Sequence, residues 1–218
     1  MKRVLVTAGS TRTEIDQVRV ISNIFKGTTG TRIAQFFCHQ QMDVTLLTSN
    51  PELIEYGCKL KHYKFKTFSD LKRLMENQIT QNIFDIIVHS AAVSDYECVG
   101  VMAKDDQDAL VEINSENKVS SQFSELFLKL KPTDKLVDLI RTPWGFKGTL
   151  VKFKLQVGMT NEELIKVAQK SRQHSQADMI VANCLEWARK YAYIISENQW
   201  SKVSRNDLAK ELYGRVVK

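Results

Sequence analysis

Residues 2–30 constrain the fold more than any other part of this 218-residue chain. Val4-Leu5-Val6-Thr7 is a short, mostly β-branched run that breaks into Ala8-Gly9-Ser10, as a buried parallel strand does when it meets its turn. A polar segment over 11–23 follows. After Gly27-Thr28-Thr29-Gly30, the apolar residues Ile33, Ala34, Phe36 and Phe37 recur at helical spacing, which predicts a helix starting near Thr28. Free N–H groups at a helix start, approached through residues without a Cβ, make a cradle for phosphate. Spacing alone leaves Gly27 and Gly30 equally open to a plainer role, as turn glycines before a helix.

The alternation of strand and helix continues. Strands are expected over 43–48, 62–65 and 84–88, and a helix over 70–79 with Leu71, Leu74 and Met75 on one face. The strand over 84–88 runs into Ser90-Ala91-Ala92-Val93-Ser94-Asp95. Small residues and an acid at a strand's carboxyl end mark where open α/β sheets bind ligands. Residues 97–121 have weak periodicity and many charges, and are expected to form a long surface excursion, a flexible flap over the site. An extended piece over 125–131, a helix over 134–141, a turn at Thr142-Pro143-Trp144-Gly145 and a strand over 150–155 come next. Thr160 with Glu163 three positions on signals a capping box and another helix. Strands over 179–182 and 191–195 and a helix over 207–217 end the chain.

Lys and Arg outnumber Asp and Glu by 31 to 25, and the positive residues are scattered. That excess suits anionic small molecules; nucleic acid would call for a basic stripe interleaved with aromatics, and none is seen. No run approaches the roughly 20 apolar residues of a membrane span, and Met1-Lys2-Arg3 leads straight into the first strand, so a cytoplasmic protein is expected. Cys38, Cys58, Cys98 and Cys184 are far apart, which predicts buried thiols and neither a metal site nor a disulfide framework. His89 precedes Ser90, but no strand–G-x-S-x-G–helix context supports a hydrolase nucleophile, and His39, His62 and His174 lack acidic or cysteine partners at ligand spacing. A nicotinamide-binding reductase is disfavoured: Ala8-Gly9-Ser10-Thr11-Arg12 is not G-x-G-x-x-G, and Thr48-Ser49-Asn50 supplies no acid for a ribose. No Tyr is followed four residues later by Lys.

The order of motifs is more specific than any one of them. Val6-Thr7-Ala8-Gly9-Ser10-Thr11-Arg12, Val18-Arg19-Val20-Ile21-Ser22-Asn23 and the Gly27-x-x-Gly30 turn resemble the opening of the phosphopantothenoylcysteine synthetases. Ala91-Ala92-Val93-Ser94-Asp95-Tyr96 resembles that family's A-A-V-[AS]-D-[YW] segment. Leu128 to Thr133, Leu150 to Leu155 and Asp178 to Asn183 follow in the family's order. The resemblance implies a Rossmann-like three-layer αβα fold with a mostly parallel sheet, residues 1–218 forming one domain plus the flap at 97–121. It resembles the stand-alone synthetases, with the decarboxylase activity expected on another chain.

The activity it implies joins 4′-phosphopantothenate to L-cysteine through an acyl-nucleotidylate. A magnesium nucleoside triphosphate is consumed, CTP favoured and ATP the alternative, in a homodimer that binds neither nucleic acid nor membrane. By resemblance, Asn23 and Lys118 are the catalytic residues. Asn23 would hydrogen-bond the acyl intermediate without adding a competing nucleophile, and Lys118 would offset charge as pyrophosphate leaves. Gly9, Gly27, Gly30, Ala91, Ala92, Asp95, Phe153 and Asn183 would hold the nucleotide, Asp95 at the ribose and Phe153 and Asn183 at the base. A reductase of similar fold and a regulatory nucleotide-binding protein without turnover are the alternatives. The chain also departs from the family's pattern. Phe25-Lys26 stands where relatives carry serines, and Ser171 and Ser175 stand where many carry lysines, so Lys26, Lys170 or Arg172 becomes a candidate replacement for phosphate contacts.

Overall fold

Val4, Leu5 and Val6 are all fully buried, although successive strand residues point to opposite faces of a sheet. Both faces must therefore be covered. The computed structural model, which describes residues 1–57, 59–197 and 199–217, shows how. In chain order the elements are β1 (Arg3–Ala8), β2 (Arg12–Glu14), β3 (Val20–Ser22), α1 (Thr28–His39), β4 (Asp43–Thr48), β5 (Lys61–Lys64), α2 (Phe68–Gln81) and β6 (Ile86–His89). They continue with β7 (Tyr96–Lys104), β8 (Leu110–Ile113), β9 (Phe127–Pro132), α3 (Leu136–Leu139), β10 (Thr149–Gln156), α4 (Asn161–His174), β11 (Met179–Cys184), β12 (Tyr191–Ile195), β13 (Trp200–Ser204) and α5 (Leu208–Val216).

Eight strands form one sheet in the order β13-β12-β11-β10-β6-β1-β4-β5. The six from β11 to β5 are parallel, and β12 and β13 run antiparallel at one edge. Val4 and Val6 pack with Val44, Val88 and Val151 against Ile33 and Phe37 of α1 and Leu208 and Leu212 of α5. Leu5 packs with Leu47, Ile87 and Leu150 against Leu71 and Met75 of α2 and Leu136 of α3. Leu164 and Ala168 of α4 cover β11 and β12. Each such buried side chain contributes about 1.5–3 kcal/mol, and the result is the expected three-layer α/β fold. Strand order reverses between β1 and β6, which opens a crevice at their carboxyl ends.

Several details differ from the sequence expectations. Most of β7 and all of β8 lie within 97–121, so this segment is not an excursion without regular pairing. With β9 they form a separate antiparallel sheet in the order β8-β7-β9. Its alternation was hidden because the β7–β9 register shifts between Cys98 and Gly100, and a bulge moves later residues to the other face. The helix expected over 134–141 is only Leu136–Leu139 long. There the N–H groups of Trp144, Gly145 and Phe146 fold back onto the carbonyls of Leu139, Arg141 and Ile140, and Pro143 has no N–H to extend a helix. α2 begins earlier than expected because Thr67 and Asp70 form a capping box; the box at Thr160 and Glu163 is formed as read. Strands β2, β3 and β13 were not anticipated. Cys184 is buried and Cys38 and Cys98 are partly so, while Cys58 lies outside the described residues.

Candidate active site

At the end of β1 the chain turns through Gly9 at φ 94°, and Gly27 enters α1 at φ 90°. A Cβ on Gly27 would run into the backbone of Gly9, and one on Gly9 would meet Ser49. Only residues without a side chain allow this crossing at positive φ. Gly30 serves a close approach instead: its side of α1 rests on Ser90 and the Thr7 carbonyl. The first turn of α1 is thereby pressed onto the β1–β6 crevice. Gly27 makes no side-chain cap and no acid sits in that turn, so the helix's first N–H groups and its positive end stay open to an anion.

Residues 90–95 are laid along β1 by hydrogen bonds. Ser90 N–H donates to Thr7 O (3.2 Å) and Ala92 N–H to Gly9 O (2.8 Å). Ala91 N–H donates to Thr7 Oγ1 (3.1 Å), and Ser94 N–H to Thr11 Oγ1 (2.7 Å). Asn23 joins them: its Nδ2 donates to Ala92 O at 3.3 Å, and its carbonyl accepts from Ser10 Oγ at 3.3 Å. Asp95 pairs with Lys135 at 2.5 Å.

Two cavities meet at Val93 and Asp95. One, about 280 Å³, has Thr13, Ser22, Asn23 and Tyr96 in its wall. The other, about 320 Å³, is lined by Ala91, Lys152, Phe153, Ser171 and His174 among others. The structure thus brings Asn23, Asp95, Ala91 and Phe153 to adjoining spaces. Asn183 is buried opposite Leu155 on β11 and lines neither of them.

Lys118 is exposed, but its neighbour Val119 is buried and held at both ends of its peptide. Asp16 accepts from Val119 N–H (3.1 Å), and Arg19 Nη2 donates to Val119 O (2.6 Å). Arg19 also pairs with Asp16 at 2.6 Å. That guanidinium, aided by backbone N–H bonds from Val18, Arg19 and Val119, holds the Asp16 carboxyl well below the usual carboxylate range. The β2–β3 hairpin that carries Asn23 is therefore clamped to the segment that carries Lys118. Sequence reasoning missed Asp16, whose local signal was an Asx turn to the N–H groups of Val18 and Arg19.

A third cavity, about 730 Å³, opens at the start of α1 between Phe25, Thr28, Thr29, Arg32, Arg189 and Arg205. No acid is among the described residues of its wall. Arg205 bonds to Thr29 Oγ1 through Nη2, while its Nη1 is buried without a partner among the described residues. Burial and the charge of Arg32 lower the Arg205 pKa. These arginines put positive charge beside the start of α1, where Lys26, Lys170 and Arg172 were the candidates from sequence. Lys26 is exposed and Lys170 points outward on α4, neither of them lining a wall described here. Arg172 is spent on Ala177 O and Gln169.

The sequence pattern of the DNA/pantothenate metabolism flavoprotein C-terminal domain matches residues 1–218. The chain belongs to this family. It is 33% identical over 216 residues to a coenzyme A biosynthesis bifunctional protein CoaBC of Thermococcus kodakarensis, covering 97% of this chain and 47% of that protein. A protein of the same name from Methanocaldococcus jannaschii is 32% identical over 221 residues, covering 99% and 49%. The chain thus spans about half the length of these curated relatives. A solved DNA/pantothenate metabolism flavoprotein from Streptococcus pneumoniae superposes with a TM-score of 0.86 at 29% identity, covering 99% of this chain and 98% of that one. Membership in the flavoprotein C-terminal domain family does not favour the reductase alternative. No helix among the described residues is long and apolar enough to cross a membrane.

In this family member the 320 Å³ cavity has a polar floor that sequence reading did not foresee. Lys152, only 7% exposed, donates to Ser171 O (3.1 Å) and Ser175 Oγ (2.9 Å). Its ammonium thus enters the space beside the two helix serines from the strand below. Burial lowers the Lys152 pKa, an effect opposed by Asp138. His174, read from sequence as lacking an acidic partner, lies 3.3 Å from Asp138.

Proposed function

We propose that this chain ligates L-cysteine to 4′-phosphopantothenate at the expense of a magnesium nucleoside triphosphate, CTP before ATP, as a cytoplasmic homodimer. The observation that carries the reading is the pair of cavities meeting at Asp95, one walled by Asn23 and the other by Phe153. Two reacting groups held in adjoining spaces exchange a bimolecular encounter for an oriented one. The nucleotide base and ribose fit the Phe153 side, where Asp95 can accept a ribose hydroxyl. The acid fits the Asn23 side, and the triphosphate has the open N–H groups of α1 and the arginine-lined cavity to meet its charge.

The chemistry divides into two displacements. A carboxylate oxygen of 4′-phosphopantothenate attacks the α-phosphorus, and the bond to pyrophosphate breaks. The cysteine amine then attacks the acyl carbon, loses a proton, and expels nucleoside monophosphate. Asn23 suits the second step because one N–H of its amide is fixed on Ala92 O. The other N–H, without an acceptor among the described residues, can meet the developing oxyanion, and Oδ1 can accept from the amine. Lys118, on its clamped segment, would meet the charge of the departing pyrophosphate. Magnesium enters with the triphosphate as part of the substrate.

The homodimer is supported by apolar side chains left uncovered on the small sheet, among them Leu110, Phe127 and Leu130. Incubating the protein with 4′-phosphopantothenate, cysteine, magnesium and each triphosphate in turn tests the reading. Stoichiometric pyrophosphate, nucleoside monophosphate and amide are expected, fastest with CTP. No pyrophosphate from any triphosphate would sink it.

A further inference from the structure

Lys152 on β10 and His89 on β6 are direct partners in the parallel register. They therefore share one face of the sheet, on strands about 4.8 Å apart. Both are 7% exposed, and both line the 320 Å³ cavity.

Each has an N–H donor to spare. The Lys152 ammonium has three, of which Ser171 O and Ser175 Oγ take two; the third has no acceptor among the described residues. Nor does Ser171 O depend on the lysine, since it also accepts from Ser175 Oγ (3.1 Å) and Ser175 N–H (3.4 Å). His89 Nδ1 lies 2.9 Å from Thr7 Oγ1, an oxygen that already accepts from Ala91 N–H. Among the described residues Nδ1 is the one acceptor in reach of the Thr7 hydroxyl, so the hydroxyl proton is assigned to Nδ1, which puts the ring proton on Nε2. Burial and then the Lys152 charge keep the ring neutral, its pKa pushed down to about 4. Nε2–H has no acceptor among the described residues.

A buried ammonium with an unfilled donor is costly to maintain, and an acceptor arriving with a ligand would relieve that cost. Phe153, the next residue on the strand, turns to the opposite face and packs with the α1–α5 core. The two donors of Lys152 and His89 fit a planar ring bearing a carbonyl oxygen with a second acceptor beside it. Cytosine presents this edge at O2 and N3. Adenine has no carbonyl for these donors; its amine, like that of cytosine, has Asp138 Oδ1 in the same wall, a buried acceptor without a partner among the described residues.

We propose that Lys152 and His89 read the nucleobase, donating to its ring carbonyl edge and selecting cytosine over adenine. The proposal rests on assigning this cavity to the nucleotide, as above. The test measures binding of magnesium CTP and magnesium ATP by calorimetry, and pyrophosphate release in matched samples, for the unaltered protein and Lys152→Met. Loss of a charge-assisted bond worth about 1.5–3 kcal/mol weakens CTP binding by about 10- to 150-fold, while ATP binding should change by less than about threefold. In the unaltered protein, 2-thio-CTP, whose sulfur is a poor acceptor, should bind about tenfold more weakly than CTP; this measurement decides the matter if Lys152→Met does not fold. Equal losses for both triphosphates, unchanged CTP affinity in Lys152→Met, equal affinity for CTP and 2-thio-CTP, or no binding of either triphosphate would overturn the base-reading role. Selective binding without pyrophosphate release would sink the ligase reading and leave this one standing. Turnover with no change in selectivity would do the reverse.

Discussion

The eight-stranded and the three-stranded sheets of this chain bury their apolar residues in different ways. In the eight-stranded sheet, Val4, Leu5, Val6, Ile86, Ile87 and Val88 are all within 1% of complete burial, with helices on both faces. In the small sheet Val101 and Ala103 are buried, whereas Tyr96, Leu110, Val111, Phe127 and Leu130 are exposed. One sheet is finished by its own chain, and the other presents a surface of the kind that a second surface completes. The difference assigns them separate tasks. The large sheet fixes the crevice, and the small one carries residues that can respond to ligand or partner. Asp16 and Arg19, in the β2–β3 hairpin beside the crevice, hold the segment between β8 and β9 at Val119.

Asn23 stands at that junction, so changing it should have the largest effect. Asn23→Ala is expected to slow amide formation by about 10²–10³-fold, the scale of losing one oxyanion donor. Its side chain is exposed, so the fold should survive and acyl-nucleotide should accumulate or the reaction stall before the amide forms. Following pyrophosphate and amide separately checks this; wild-type rates for both would remove Asn23 from the mechanism.

Gly27→Ala attacks the rigid side of the comparison. A Cβ there has both an unfavourable positive φ and the Gly9 backbone to displace. The expected cost is about 3 kcal/mol of stability, read from urea midpoints. A change under about 0.5 kcal/mol would mean that the turn and α1 are not locked as described.

His89 makes the same rigid edge sensitive to acid. Its ring pKa is pushed down to about 4 from 6.5, so between those values the unfolded chain binds a proton that the folded chain refuses. Stability is full above pH 6.5 and falls as the pH drops toward 4. From pH 7 to pH 5 the loss attributable to this residue is about 2 kcal/mol. His89→Leu should flatten the slope by that amount in urea titrations at the two pH values. Identical slopes would show that the ring takes up its proton without unfolding.

The same contrast explains what could be read from the sequence. Strands β1, β4, β6 and β11 are buried on both faces and appear as short continuous apolar runs. Of the small sheet, β9 was legible as an extended piece over 125–131, whereas β7 and β8 were missed because a bulge breaks the period and few of their residues are buried. At the site, Asp95 was legible as an acid closing a strand end, and Asn23 from its place in the order of motifs. Lys152 was not. In Leu150-Val151-Lys152-Phe153-Lys154 it looks like any charged residue on an alternating strand, and only packing under α4 shows that it is buried. Arg32, Arg189 and Arg205 converge from three distant segments, a proximity that no local pattern encodes.

The smallest expected change in stability tests the uncovered sheet. Leu110 is about half exposed on β8, where a charge can stay in contact with water. Leu110→Glu should therefore shift unfolding of the monomer by less than about 0.5 kcal/mol. If a second copy covers this face, the same substitution buries an unpaired carboxylate in the interface and weakens association by several kcal/mol. Sedimentation at increasing concentration separates these outcomes. A shift from dimer to monomer with an unchanged melt would show that the small sheet is finished by a partner, and an unchanged assembly would place the interface elsewhere.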